Sequence, residues 1–155
     1  MSPQSIMERL LRDVPVLSQD EHVEAAIRRI LDAGVPALPV VDRDGRFAGV
    51  FGEREFMAAV FPGYVSELKS AAFVSASLDD AIGRRAACLR EPVGRHAHTE
   101  HVDVGTDASD VQVAEIFLHH RVLIVPVCDP DGRIVGVVTR SEFFRALATR
   151  LLEAG

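Results

Sequence analysis

The sequence predicts a mixed α+β fold made of two copies of one β-α-β-β-α unit. An internal repeat is the first reason, because residues 35–56 align with residues 122–143 without a gap. The second reason is the pattern inside each copy, where two β-branched runs flank an Asp-x-Asp-Gly turn and lead into a helix. A copy of about 55 residues is marginal alone, so we expect the two to pack sheet against sheet about a pseudo-twofold axis.

The first copy is predicted at residues 1–62. Apolar residues at i, i+3, i+4 and i+7 from Val23 predict an amphipathic helix that Asp20 caps and Gly34 ends. The predicted elements, in order, are a helix in 1–12, a strand at 14–17, the amphipathic helix, strands at 35–41 and 46–51, and a helix at about 53–60.

The second copy, predicted at residues 93–155, repeats this order and ends in a helix from about Arg140 to Leu152. Residues 63–92 have no counterpart in the repeat. Helix signals at 64–73 and from Ser77 predict a structured connector there, without the Gly/Ser/Pro richness of a flexible linker.

Composition narrows the class of protein. A net charge of −6 argues against a general nucleic-acid binder, which is normally basic. No apolar run approaches the roughly 20 residues of a membrane helix, and the N-terminus lacks a signal-peptide core, so we expect a cytoplasmic protein with no membrane contact. Cys88 and Cys128 fit that compartment as small buried residues.

No catalytic residue is predicted, and we do not expect an enzyme. The sequence contains no P-loop, no nucleophile elbow and no nucleophile with a neighbouring base. Four aspartates come in pairs but fall in the two turns, where a structural role explains them: Asp42, Asp44, Asp129 and Asp131.

The ordered set of motifs resembles the CBS domain, which occurs in tandem pairs called Bateman modules. The matching segments are LPVVD at 38–42, VPVCD at 125–129, both Asp-x-Asp-Gly turns, GVVTRSE at 136–142, and the lead-in to the second copy at 93–109. The resemblance implies a stand-alone regulatory module that binds AMP, ADP, ATP or S-adenosylmethionine in the clefts between copies. It also implies a homodimer formed through helices, and a separate regulated protein of unknown identity.

The family's ligand motif, G-h-x-T/S-x-x-D, falls on Thr139, Arg140 and Glu142. A helix N-terminus and a threonine hydroxyl suit a phosphate, Arg140 adds a positive charge, and Glu142 can accept from ribose hydroxyls. The expected apolar wall for a purine consists of Val102, Val104, Leu123, Ile124 and Pro126. Thr-x-x-Glu is equally a helix capping box that needs no ligand.

The sequence departs from the family pattern at three places. Gly52 replaces the hydroxyl residue of the first copy, so the site that Arg54 and Glu55 would complete is expected to be empty, weak or altered. Glutamate stands where the family usually has aspartate. Asp103 stands where the family often has threonine, and its charge would disfavour phosphate or select a cationic ligand such as S-adenosylmethionine.

Histidines offer a metal alternative. His96, His98 and His101 lie around Glu100 in the lead-in, and imidazole at such spacings can bind zinc or another divalent ion. The competing interpretation is a solvated loop, with His119 and His120 favourable near a helix C-terminus. A third possibility is a ligand-free dimeric interaction module whose own side chains fill the clefts.

Overall fold

The computed structural model describes residues 5–61 and 78–155. Its helices are α1 Ile6–Leu10, α2 Val23–Ala33, α3 Glu53–Val60, α4 Leu78–Arg85, α5 Asp110–His119 and α6 Arg140–Ala154. Its strands are β1 Leu17–Ser18, β2 Ala37–Val41, β3 Phe47–Gly52, β4 Val104–Gly105, β5 Ile124–Cys128 and β6 Ile134–Thr139. The helix predicted at 64–73 and the helix start predicted at Ser77 lie outside the described residues.

Two three-stranded mixed sheets confirm the predicted α+β class. The strand orders are β1-β2-β3 and β4-β5-β6. In each sheet the two-residue first strand pairs in parallel with the second, and the second pairs antiparallel with the third. Both antiparallel pairs shift register at equivalent places, between Val40 and Val41 and between Val127 and Cys128.

The turns between the paired strands confirm the structural role of the aspartates. Asp42 accepts hydrogen bonds from the backbone N–H groups of Asp44 and Arg46 through Oδ1, at 2.9 and 3.0 Å. Asp129 accepts the same two bonds in the second copy. The glycines of these turns, Gly45 and Gly132, have φ of 79° and 80°, which favours glycine.

The predicted helix cap at Asp20 is wrong. Helix α2 begins after His22, whose side chain makes no capping hydrogen bond. Asp20 lies in the preceding turn and pairs instead with Arg43 at 3.2 Å. In the second copy, Ser109 and Gln112 form a reciprocal capping box at the start of α5.

Each copy contributes its lead-in segment to the core of the other copy. Ile6 and Met7 of α1 are buried with Val113 and Val125 of the second copy. In the opposite direction, Val93 is buried among first-copy residues, including Leu17 and Val23. The two packed lobes therefore do not coincide with the two sequence repeats.

Backbone pairing holds the crossing segments in place. Arg12 exchanges two hydrogen bonds of 2.9 Å with Val137 of β6, and His98 exchanges bonds of 2.8 and 2.9 Å with Val50 of β3. A Cβ at Gly136 would lie 2.7 Å from the Arg12 carbonyl oxygen, and a Cβ at Gly49 would lie 2.7 Å from that of His98. Glycine is needed at both positions because the crossing backbone comes this close.

A central apolar cluster joins the two copies. Its buried members come from both sheets and from the segments that precede them: Ala37, Val50, Val102, Val122, Ile124 and Val137. Burial of this surface is what makes two marginal units one stable module.

Candidate functional site

Thr139 lies at the junction of β6 and α6, where it is 4% exposed. As the N-cap residue it accepts the backbone N–H of Glu142 through Oγ1, at 3.3 Å. No residue in the described ranges accepts a hydrogen bond from this hydroxyl. The start of α6 therefore combines a spare hydroxyl donor with the positive end of a helix dipole, while the N–H groups of Arg140 and Glu142 already donate to Leu123 and Thr139.

Glu142 reaches across to the other copy. Its Oε1 accepts from Nη1 of Arg12 at 2.9 Å, and the two side chains are 36% and 41% exposed. The capping box that the sequence predicts is thus half formed, since Thr139 caps the helix but the glutamate forms an ion pair. Sequence reasoning missed Arg12, which lies 130 residues from Glu142 and carries no motif of its own.

Arg140 and Glu142 face different grooves. Leu123 and Arg140 border a groove of about 710 Å³, whose other walls come mainly from α2 and α3 of the first copy. Glu142 borders a groove of about 460 Å³ between α1 and α6. Two residues apart on a helix point about 200° apart, which explains the separation.

The groove beside Glu142 is rich in arginine. Arg9 contributes from α1, and Arg145 and Arg150 contribute from α6, against one further carboxylate from Glu153. With Arg12 at its edge, this side of α6 carries the positive charge that an anionic ligand requires.

The predicted apolar wall is divided. Ile124 pairs with Thr139 across the sheet, and Leu123 accepts the backbone N–H of Arg140 at 3.0 Å, so both lie beside the start of α6. Pro126 pairs with Val137 further along the strand, and Val102 is fully buried in the central cluster.

Asp103 and Val104 lie at the other end of β5. Val104 pairs with Val127, and the Asp103 carboxylate lies near the Cys128 thiol. Cys128 lies four positions along the strand from Ile124, or about 13 Å. Burial, and then the charge of Asp103, raise the pKa of Cys128 to about 12. The structure therefore does not bring Asp103 or Val104 to the start of α6.

The first copy has a different set of side chains at the equivalent junction. Gly52 precedes α3, and a Cβ there would lie 2.4 Å from the Pro36 carbonyl oxygen, so a hydroxyl side chain does not fit this backbone. Arg54 is exposed. Burial raises the pKa of Glu55, with hydrogen bonds from the backbone and the charge of His98 acting in the opposite direction. The charge of His98 thus acts on Glu55, whereas Arg12 contacts Glu142 directly.

The three lead-in histidines have separate surroundings. His96 contacts Glu91 at 3.1 Å, and its side chain is 15% exposed. His98 lies beside Glu100, and His101 is exposed. The structure therefore does not gather His96, His98 and His101 around one point.

Comparison with known proteins identifies one family. The CBS domain model matches residues 5–62 and 97–149. The chain is 25% identical over 146 residues to the CBS domain-containing protein CBSX1, chloroplastic, of Arabidopsis thaliana, covering 86% of this chain and 59% of that protein. It is 20% identical over 138 residues to the inosine-5'-monophosphate dehydrogenase of Methanocaldococcus jannaschii, covering 89% of this chain and 22% of the enzyme. The chain thus spans less than two thirds of both relatives.

Solved structures share the fold at low sequence identity. CBSX2 of Arabidopsis thaliana superposes with a TM-score of 0.70 and 17% identity, over 95% of this chain and 96% of that one. A structure of CBSX2 in complex with AMP gives a TM-score of 0.66 and 19% identity, over 94% and 98% of the two chains. None of the helices in residues 5–61 and 78–155 combines the length and the apolar character that a bilayer-spanning segment needs. The CBS domain model matches most of the sequence in two copies, and the chain therefore belongs to the CBS domain family as a tandem pair, or Bateman module.

Proposed function

We propose that this module binds an adenine nucleotide at the start of α6 and uses the binding to regulate a separate protein. The supporting observation is the buried Thr139 hydroxyl, which keeps a free donor at a helix N-terminus beside Arg12 and Glu142. The fold likeness to CBSX2, which has been crystallised with AMP, supports the same ligand class. The presence of two buried free cysteines supports action in a reducing compartment, the cytosol.

Each polar group has a defined role in this proposal. The Thr139 hydroxyl donates to the phosphate, the positive end of the α6 dipole attracts it, and Glu142 accepts from the ribose hydroxyls. Glu142 becomes available when Arg12 turns from it to the phosphate. Both side chains are more than a third exposed, so opening this ion pair costs about 1 kcal/mol or less.

The charge distribution favours a nucleotide over S-adenosylmethionine. The argument for a cationic ligand depends on Asp103, whose charge acts on Cys128 at the far end of β5. The groove beside Glu142 carries Arg9, Arg145 and Arg150 instead. These side chains attract the phosphates of AMP, ADP or ATP and repel a sulfonium.

Calorimetric titration with AMP, ATP and S-adenosylmethionine tests the proposal. We expect heat and a raised melting temperature with the nucleotides, and loss of both in a Thr139→Ala, Glu142→Ala double variant. Ser109→Ala is the matched control, because it removes another helix cap and leaves the α6 site unchanged. If no ligand gives heat or a thermal shift with the wild-type protein, the proposal is wrong.

A ligand-free interaction module is the second candidate function. The same contacts also support this candidate, because Thr139 already caps α6 and Glu142 already pairs with Arg12 without any ligand. An unchanged melting temperature with every nucleotide, together with a stable dimer, would support this candidate.

We further propose that the module is a homodimer through its helices. Equivalent apolar residues are exposed in the two copies: Leu31 and Met57 in the first, and Leu118 and Phe144 in the second. Sedimentation velocity tests this with Leu118→Glu and Phe144→Glu, which should give monomers. Leu78→Glu, an exposed apolar position on α4, is the control and should leave the dimer intact.

A further inference from the structure

Two histidines and a glutamate meet beside the first copy's cleft. His120, at the end of α5, contacts Oε2 of Glu100 through Nδ1 at 3.0 Å. Nε2 of His98 lies 3.6 Å from the same oxygen. All three ligand atoms lie within 4.8 Å of one another. This cluster differs from the lead-in set that the spacing predicts, because His120 replaces His96 and His101.

His98 is held in place and has a nitrogen without a partner. Its backbone is fixed by the pair of hydrogen bonds to Val50 of β3. Its Nε2 is buried and makes no hydrogen bond, and among the residues described it is the one buried side-chain polar atom in that condition. A buried polar atom without a partner carries a desolvation penalty that a bound ion would remove.

The spacing fits a tetrahedral ion. Zinc lies about 2.0–2.2 Å from nitrogen and oxygen ligands, so the ligands of a tetrahedral site are about 3.4 Å apart. The two measured separations to Glu100 fall on either side of this value. Glu100 is the most exposed of the three side chains, at 64%, and has freedom to adjust.

We propose that His98, Glu100 and His120 bind one divalent cation of the zinc class. Two imidazoles and one carboxylate form a donor set that suits zinc and neighbouring first-row ions, whereas magnesium and calcium prefer oxygen ligands. Three protein ligands leave a fourth position for water. The ion joins the end of α5 to the segment that pairs with β3, so it ties the second copy's helix to the first copy's sheet.

This site is independent of the proposed nucleotide function. Its ligand His98 pairs through its backbone with β3, whereas the nucleotide site lies beside Arg12 and β6. The cysteines are poor competitors for zinc, because both are buried and burial and Asp103 raise the pKa of Cys128 to about 12. A thiol with such a pKa is almost wholly protonated at neutral pH, and only the thiolate binds metal.

The test is calorimetric titration of Zn²⁺ into untagged, chelator-treated full-length protein at neutral pH, with Co²⁺ absorption to report tetrahedral coordination. We expect one ion per chain and no binding of Mg²⁺ or Ca²⁺. Glu100→Gln and His120→Ala should each weaken Zn²⁺ binding by about 100-fold or more. His98→Ala should do the same, with circular dichroism as the check on its folding.

His101→Ala and His119→Ala are the matched controls, since each removes a neighbouring exposed histidine outside the cluster. Both should keep the wild-type affinity for Zn²⁺. The proposal is overturned if the wild-type protein gives no Zn²⁺ heat, or if the controls lose as much affinity as His120→Ala. Unchanged affinity in both Glu100→Gln and His120→Ala overturns it as well. Glu100 is exposed and His120 is half-exposed, so this part of the test is valid even if His98→Ala does not fold.

Discussion

In the second copy, Thr139 caps α6 and Arg12 forms an ion pair with Glu142, whereas in the first copy Gly52 precedes α3 and the charge of His98 acts on Glu55. The crossing segments and the glycines that admit them are equivalent in the two copies, but the backbone before the helix is not, since Gly52 has φ −163° and Thr139 has φ −85°. The two clefts therefore differ in their side chains and in the backbone at this one position. One cleft presents an arginine and a free hydroxyl, and the other presents an imidazole and no hydroxyl.

Gly52 fixes this difference in the backbone. A Cβ at this position would collide with the Pro36 carbonyl oxygen and with Ala37. Restoring the missing hydroxyl by Gly52→Thr would require the strand pair to shift, so the first cleft is not one substitution away from the second.

The largest expected effect concerns the lead-in segments, each of which packs in the core of the other copy. Ile6→Ala should destabilise the protein by about 2–5 kcal/mol, because Ile6 is 3% exposed in the second copy's core. Chemical denaturation measures the free energy of unfolding, and hydrogen exchange locates the loss. Exchange should accelerate in β5 and α5 before it does in β2. Faster hydrogen exchange confined to the first copy's strands would contradict the packing of α1 in the core of the second copy.

The next largest effect distinguishes the two arginines near Thr139, Arg12 and Arg140, by their contributions to AMP binding. Arg12→Ala should weaken AMP binding about tenfold, the loss of roughly one charge-assisted hydrogen bond. Arg140→Ala should change the affinity much less, since Arg140 borders the groove on the other side of α6. Calorimetry on both variants measures this difference. A larger loss for Arg140 would mean that the nucleotide lies in the groove of about 710 Å³ instead.

A smaller effect is a loss of stability at high pH that comes from Cys128 in the second copy. The pKa of Cys128 is raised to about 12 from 9.0, so the folded state holds the thiol proton more tightly than the unfolded chain does. Its stabilising contribution is present below pH 9 and is lost as pH rises towards 12. Cys128→Val introduces the residue that the first copy has at the equivalent position, Val41. This variant should avoid on the order of 1 kcal/mol of the stability that the wild-type protein loses at about pH 10.

Melting curves against pH measure this contribution. The wild-type and Cys128→Val proteins should differ in slope above pH 9, the ordinary thiol pKa, and run parallel below it. Parallel curves throughout would show that the thiol is not shielded in the folded state.

The sequence predicted the local structures that occur in both copies. The strand pairs, the Asp42 and Asp129 turns and the helix beginning after Thr139 all follow from short-range patterns, and the structure confirms them. The exchange of lead-ins could not be predicted, because an apolar residue such as Ile6 fits the core of either copy equally well.

The partners of charged side chains were equally hidden in the sequence. Arg12 meets Glu142 across 130 residues, and His98 meets His120 through a glutamate between them. Asp103 was expected near the ligand because it stands where the family often has threonine, but the parallel pairing of β4 with β5 places it beside Cys128.

Matched removal of the two equivalent glutamates tests the central claim most directly. AMP is titrated calorimetrically into Glu142→Ala and Glu55→Ala, with the wild-type protein as reference. We expect Glu142→Ala to lose about 10- to 100-fold in affinity, for the loss of a carboxylate that accepts from ribose, and Glu55→Ala to stay within about threefold of wild type. Equal losses in the two variants, or a greater loss in Glu55→Ala, would contradict the assignment of the nucleotide to the second cleft.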